Sequence, residues 1–287
     1  MRNSPFGLKI IVAIVSVAIT VSIIGVFLYD TAEANNVGSY DIVPKAAIID
    51  QLYDDNPNEL FHETASMFLE NAGYRVEIFT TKDVTVDFYK KLPLQNYKFV
   101  IVRSHGAADA NAQNSVTLFT GEKYTTDKYI SEQLFGQIKK GAPLAEVNFL
   151  VNSSEPKWVI VNDTYSTLTM PASAITTSED EYFLITPAFV DTGMEGKFSQ
   201  TIFVLGGCST MHTDSMAQSL IRRGASSVVG WDDTVGSSDN DFAILLLLER
   251  LLISNMKIED AKDSVMNNFR NENMEYPGKL QVYSDGF

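Results

Sequence analysis

The 287 residues carry 22 lysines and arginines against 36 aspartates and glutamates, a formal net charge of −14, with 45% hydrophobic and 20% charged residues. The acidity argues against a nucleic-acid partner, since no basic stripe is present to neutralise phosphates, and the length suits one sizeable domain plus extras or two small ones. A single cysteine rules out an intramolecular disulfide.

The chain opens with an apolar stretch. Ile10 to Tyr29 contains no charged residue, and about 20 apolar residues cross a bilayer as a helix. Arg2 and Lys9 precede the run and Asp30 follows it, so the positive-inside rule keeps the N-terminus in the cytoplasm. Residues 1–30 are therefore expected to be an uncleaved anchor, engaging the membrane through residues 8–29. A cleaved signal peptide is the rival, because Ala32-Glu33-Ala34 fits a small-x-small cleavage pattern. Either reading puts the folded part outside the cytoplasm, secreted in the second case, and the sequons at Asn152 and Asn162 agree with export. Residues 31–45 read as a polar linker, and 46–287 as the folded domain.

Within that domain the expected order starts with a strand at Ala46 to Asp50, a loop carrying Asp54 and Asp55, and a helix from Asn58 to Ala72 closed by Gly73. A strand from Tyr74 to Thr80, a short helix over Val84 to Leu92 ended by Pro93, and a buried-type strand from Lys98 to Arg103 follow. This alternation is the βαβ signature of a parallel sheet. The pattern loosens across about 107–197, read as an insertion covering the active-site edge, with strands at Ser115 to Phe119, Trp158 to Val161 and Glu181 to Val190 and a helix over Ile130 to Lys140. The α/β rhythm then returns: a strand from Thr201 to Leu205, a helix from Asp214 to Arg223, and a strand from Ala225 to Gly230 followed by Trp231-Asp232-Asp233. Helices over Ser238 to Leu252 and Ile258 to Phe269 and a strand from Leu280 to Tyr283 complete the chain. The fold class expected is α/β, with a mostly parallel central sheet.

Two strand ends carry chemistry. Lys98 to Arg103 runs into Ser104-His105-Gly106, and Thr201 to Leu205 runs into Gly206-Gly207-Cys208. If the strands are parallel neighbours, His105 and Cys208 emerge at the carboxyl edge of the sheet, where open α/β folds place their ligands. A thiol nucleophile and its acid/base partner require that juxtaposition. Ser209 or Thr210 is expected to cap the following helix, whose N-terminus would help activate the thiol.

An apolar strand ending in His-Gly and another ending in Gly-Cys resemble the caspase-like (clan CD) cysteine peptidases, which include caspases, metacaspases, legumain, gingipains, separase and CHAT domains. Leu205-Gly-Gly-Cys-Ser-Thr departs from the caspase Gln-Ala-Cys signature, and the separation of His105 from Cys208 is about twice the caspase one. Those departures exclude a close caspase relationship. Gly224-Ala-Ser-Ser-Val-Val-Gly-Trp231 is more similar to CHAT and gingipain-type domains, in which a Gly-Ala turn, a strand and often a tryptophan follow the cysteine.

The resemblance implies a three-layer caspase-like sandwich and a cysteine endopeptidase with catalytic His105 and Cys208. It also implies an oxyanion hole formed by the amides of Gly106 and Cys208, and a histidine that acts chiefly on the leaving amine. It places the pocket for the residue before the scissile bond in loops carrying Asp54, Asp55, Trp231, Asp232 and Asp233. Carboxylates there favour a cationic residue, so cleavage after Arg or Lys is expected, with Asp232 the first candidate and Asp54 the second. The alternative is a catalytically silent caspase-like module that binds a protein or peptide at the cell surface. No cofactor is expected, and no metal, because His62 and His212 lack companions at ligand spacing. Phosphate-loop, Rossmann and Gly-x-Ser-x-Gly patterns are missing.

Overall fold

The central sheet runs from edge to edge through Leu280–Ser284 (β12), Ala225–Trp231 (β11), Thr201–Gly206 (β10), Tyr97–Arg103 (β3), Lys45–Asp50 (β1) and Arg75–Thr80 (β2). In chain order, β1 (Lys45–Asp50), α1 (Glu59–Asn71), β2 (Arg75–Thr80), α2 (Val86–Lys91) and β3 (Tyr97–Arg103) make the first half. The second half is β10 (Thr201–Gly206), α4 (Ser215–Arg222), β11 (Ala225–Trp231), α5 (Ser237–Leu248), α6 (Ile258–Arg270) and β12 (Leu280–Ser284). Between the halves lie β4 (Gly106–Asp109), β5 (Ser115–Lys123), α3 (Ile130–Leu134), β6 (Ile138–Gly141), β7 (Lys157–Val161), β8 (Thr164–Leu168) and β9 (Tyr182–Ile185). This computed structural model describes residues 43–109, 115–143, 157–161, 164–168, 180–270 and 276–284. The expected membrane segment, most of the linker and both sequon asparagines lie outside them.

All neighbouring pairs of the central sheet are parallel except β11 with β12. The fold is thus mixed α/β, with a mostly parallel six-stranded sheet flanked by helices. Strand alternation sorts its side chains. Ala46, Ile48, Phe99, Ile101 and Val204 face α1, α5 and α6, whereas Ala47, Ile49, Val100, Val102 and Phe203 face α2 and α4. Local signals set the helix ends. Asn58 caps α1 by accepting Phe61 N–H at 3.0 Å, and Gly73 leaves it at φ +86°. The leucine-rich α5 is the helix buried most completely, with Ile244, Leu245, Leu247 and Leu248 all sealed from water.

The middle of the chain departs from the sequence expectation. The expected helix over Ile130 to Lys140 stops at Leu134, because Gly136 takes a left-handed turn (φ +67°) and Ile138 starts a strand paired with β9. The expected strand over Glu181 to Val190 ends at Ile185, since Pro187 has no N–H for a ladder and a π-helical turn follows at Phe189–Gly193. Nor is covering the carboxyl edge of the central sheet all that the described part of the insertion does. Its second sheet, ordered β4-β5-β9-β6, buries Val116, Leu118, Ile138, Phe183 and Ile185 against Val100, Val102 and Phe203. It thus supplies a flank of the core, and β7 and β8 form a separate hairpin.

The same alternation that sorts the apolar side chains carries two charged ones inward. Asp50 and Arg103 are paired in register at the ends of β1 and β3, on the face of Ile48 and Ile101, and neither side chain reaches solvent. Arg103 NH1 donates to Asp50 Oδ1 at 2.9 Å, while Nε and NH2 donate to Asp241 of α5 at 2.7 and 2.9 Å. Burial works against the guanidinium charge, but Asp241 and then Asp50 more than offset it, holding its pKa above the ordinary arginine range. Asn58 Nδ2 and Asn240 Nδ2 also donate to Asp241, at 2.8 and 3.2 Å, and His62 Nε2 lies 2.8 Å from Asp50 Oδ2. Removing one member of such a buried set leaves an uncompensated charge. Arg103→Met is expected to lose about 3–5 kcal/mol of stability in urea unfolding, and a loss below about 1 kcal/mol would mean that water reaches the network.

Candidate active site

The ladder between β3 and β10 ends with Arg103 opposite Gly206, and Ser104 N–H extends it to Gly206 O at 3.0 Å. His105 and Cys208 each stand two residues beyond that last pair, so they leave the sheet side by side at its carboxyl edge. The two turns touch. A Cβ on Gly106 would come within 2.3 Å of the Cys208 carbonyl, and one on Gly207 within 2.2 Å of Ser104 O and 3.3 Å of Gly106 N. Side chains are excluded from both positions, which is the physical reason for glycine there. Gly206 makes room on the other face, where a Cβ would strike Ile244 and Asn240.

His105 is held by its main chain and its ring. Its N–H donates to Gln51 Oε1 at 3.0 Å, and its carbonyl accepts Phe119 N–H at 3.3 Å and Ser104 Oγ–H at 3.0 Å. The ring packs edge-on against Phe119, with centroids 5.7 Å apart. Its Nε2 lies 3.9 Å from Asp55 Oδ2, inside ion-pair range but beyond a hydrogen bond. Burial first, and the Arg103 guanidinium second, push the imidazole down to about 4. The Asp55 carboxyl is pushed up by burial and then by Asp54. At neutral pH the ring is accordingly a proton acceptor.

Cys208 sits half-buried against the core packed on α5, and its Sγ–H donates to Val235 O at 3.4 Å. The expected helix N-terminus is not beside it. The helix starts only at Ser215, its N-cap residue Asp214 makes no side-chain capping bond, and neither Ser209 nor Thr210 caps it. Ser209 instead takes a left-handed conformation at φ +56° while its N–H reaches Asp233 O at 3.0 Å. Thr210 is buried completely, with Oγ1 2.9 Å from Leu205 O and 3.1 Å from Gly207 O and accepting Trp231 N–H at 3.1 Å. The cysteine turn is therefore pinned to the end of β11.

The acidic residues expected to line a pocket separate into two groups. Asp232 accepts Lys279 N–H at 2.7 Å and Gln281 Nε2–H at 2.8 Å, one on each oxygen, and ties β11 to β12. Trp231 is a correction to the sequence reading: it is fully buried rather than a pocket wall, and its Nε1–H donates to Asn240 Oδ1 at 2.9 Å. Asp54, Asp55 and Asp233 remain exposed at the same edge as His105 and Cys208. Gln51 and the Arg103 network beneath the edge were missed from sequence. The available signal was a charged residue closing each of two apolar strands.

His212 turns to the end of β11, with Nδ1 3.1 Å from Asp232 O. Among the described residues no cluster of His, Cys, Asp and Glu could hold a metal ion. No protein-family model matches the chain, and no curated protein matches it.

The depressed imidazole has a thermodynamic consequence. Between its folded value of about 4 and its ordinary value of 6.5, the unfolded chain binds the proton more readily than the folded one. This contribution to stability is complete above about pH 6.5 and is lost as pH falls towards 4. Ring ¹⁵N shifts of His105 are expected to stay in the neutral pattern at about pH 6 and to protonate only near pH 4. A midpoint near the ordinary value would show that solvent, to which 30% of the His105 side chain is open, outweighs its partial burial.

Proposed function

We propose that the chain is a membrane-anchored, extracytoplasmic cysteine endopeptidase of the caspase-like type, with Cys208 and His105 as its dyad. The observation that carries this reading is the ladder end, which delivers both residues at one sheet edge two positions past the Arg103–Gly206 pair. In the reaction, Cys208 Sγ attacks the scissile carbonyl carbon and its proton passes to the neutral His105 ring. The oxyanion is received by the Gly106 and Cys208 amides. The imidazolium then protonates the leaving amine, and water hydrolyses the thioester to release the acid and regenerate the thiol. Asp55, near Nε2, favours the imidazolium while it exists.

The exposed carboxylates Asp54, Asp55 and Asp233 support cleavage after Arg or Lys, with Asp55 replacing Asp232 as the first residue to test. Asp232 is already committed to Lys279 and Gln281. One contact favours a second reading, a silent module that binds peptide without turnover. Sγ–H donation to Val235 O holds the proton on sulfur.

Cys208→Ala and His105→Ala are each expected to lower peptide hydrolysis by several orders of magnitude, with unchanged far-UV circular dichroism. A Cys208→Ala protein that cleaves as fast as the parent removes the mechanism. Failure of the parent to react with a peptidyl electrophile selects the binding module. The location is checked separately: a reporter fused to the N-terminus is expected in the cytoplasm and one at the C-terminus outside, with the protein retained on membranes after alkaline carbonate. Soluble release of a chain starting near Asn35 selects the signal peptide.

A further inference from the structure

His105 is the first residue of its segment to leave the central sheet. The last residue of β1 paired with β3 is Asp50, opposite Arg103, so no strand continues beside His105 to accept its N–H. The neighbouring strand supplies a side chain instead. Gln51, directly after β1, is 2% exposed. Its own N–H donates to Arg103 O at 2.8 Å, its carbonyl accepts Thr81 Oγ1–H at 3.1 Å, and its Oε1 accepts His105 N–H at 3.0 Å.

We propose that Gln51 is the positioning residue of this site: a buried amide that fixes the peptide carrying His105 and so aims the imidazole at Cys208. The proposal rests on the peptidase reading of the edge, but the geometry it invokes is measurable without turnover. The Gln51 main chain is bonded to β3 on one side and, through Thr81, to the turn after β2 on the other. Its side chain therefore starts from a fixed point. The His105 carbonyl is fixed independently by Phe119 and Ser104, which leaves the N–H side of that residue dependent on Gln51. The charged groups that act on the ring are Asp55 from the loop after β1, 3.9 Å from Nε2, and Arg103 from β3, and Asp54 acts in turn on Asp55. β5 packs Phe119 on the ring. Gln51 is neutral, so its effect is exerted through geometry.

The test uses the full chain with Gln51→Met, which keeps the length and removes the acceptor, and Gln51→Glu, which keeps the acceptor. In folded Gln51→Met the His105 amide is expected to exchange with solvent at least roughly tenfold faster, and kcat on a peptide substrate to fall roughly 10- to 100-fold with little change in KM. Gln51→Glu is expected to restore amide protection and most of kcat, while its added carboxylate moves the acid limb of the pH profile upward. Equal amide protection in folded Gln51→Met, or Gln51→Glu behaving like Gln51→Met, overturns the proposal. If Gln51→Met does not fold, the unmutated protein decides. A through-hydrogen-bond scalar coupling from His105 ¹⁵N to the Gln51 side-chain carbonyl carbon is expected, and its absence overturns the assignment. If Cys208→Ala retains activity, the peptidase reading falls, whereas the exchange and coupling measurements still report on Gln51.

Discussion

The buried guanidinium of Arg103 is the constraint around which the carboxyl edge is arranged. A charge with no access to water needs its donors matched, and here both carboxylates arrive from fixed elements, Asp50 from β1 and Asp241 from the first turns of α5. Asp241 accepts from Arg103, Asn58 and Asn240, and Asn240 in turn accepts from Trp231 Nε1. One connected set thus joins β1, β3, β11, α5 and the N-cap of α1. Buried ion pairs contribute little net stability relative to apolar packing of the same shape. Their effect is to admit one arrangement, because a shift of either strand by one residue would turn Asp50 or Arg103 to the opposite face and leave the other charge unpaired.

That rigidity is transmitted to the site over very short distances. Arg103 is two residues from His105, and its carbonyl anchors Gln51. Its guanidinium, after burial, is also a cause of the low imidazole pKa. Burial and the positive group that organises the core together favour the neutral ring, the state that the proposed transfer of the thiol proton would need. Asp55 acts in the opposite sense when an imidazolium forms, and it comes from the loop whose start is fixed by Gln51. Tyr53 within that loop stacks on His62, with centroids 5.4 Å apart, so the loop is braced against the network as well.

Much of the framework was legible in the sequence because it is local. Apolar runs ending at Asp50, Arg103 and Gly206 mark strands, Asn58 and Gly73 bound a helix, and the βαβ order predicts parallel pairing; the ladder of β3 with β10 bears that out. Where non-local pairing overrides local pattern, the sequence misleads. Residues 136–140 continue a helical pattern, yet a positive φ at Gly136 and pairing with β9 make them a turn and a strand. The acids show the same limit. Asp54, Asp55, Asp232 and Asp233 look equivalent as exposed loop residues, and only the tertiary contacts of Lys279 and Gln281 separate Asp232 from the rest. Trp231 follows a strand as a pocket wall would, but alternation puts it on the α5 face, where it is sealed.

The helix that follows Cys208 in the chain does not start beside it, and the turn between them has a conformation of its own. Here the turn runs on through a left-handed Ser209 whose N–H goes to Asp233, and a non-glycine residue in that region costs roughly 1–2 kcal/mol. The conformation persists because Thr210 and Met211 are both tied to Trp231, which is anchored through Asn240 to the same network as Arg103. The core therefore sustains a strained turn that holds Cys208 beyond the ladder, against the Gly106 peptide. The sulfur lies away from the start of α4 but near that of α5, since Sγ–H donates to Val235 O, one residue before the N-cap Gly236. In the peptidase proposed above, the thiol would therefore depend on the placement of His105, Gly106 and the start of α5 around it, all of them held by the same core.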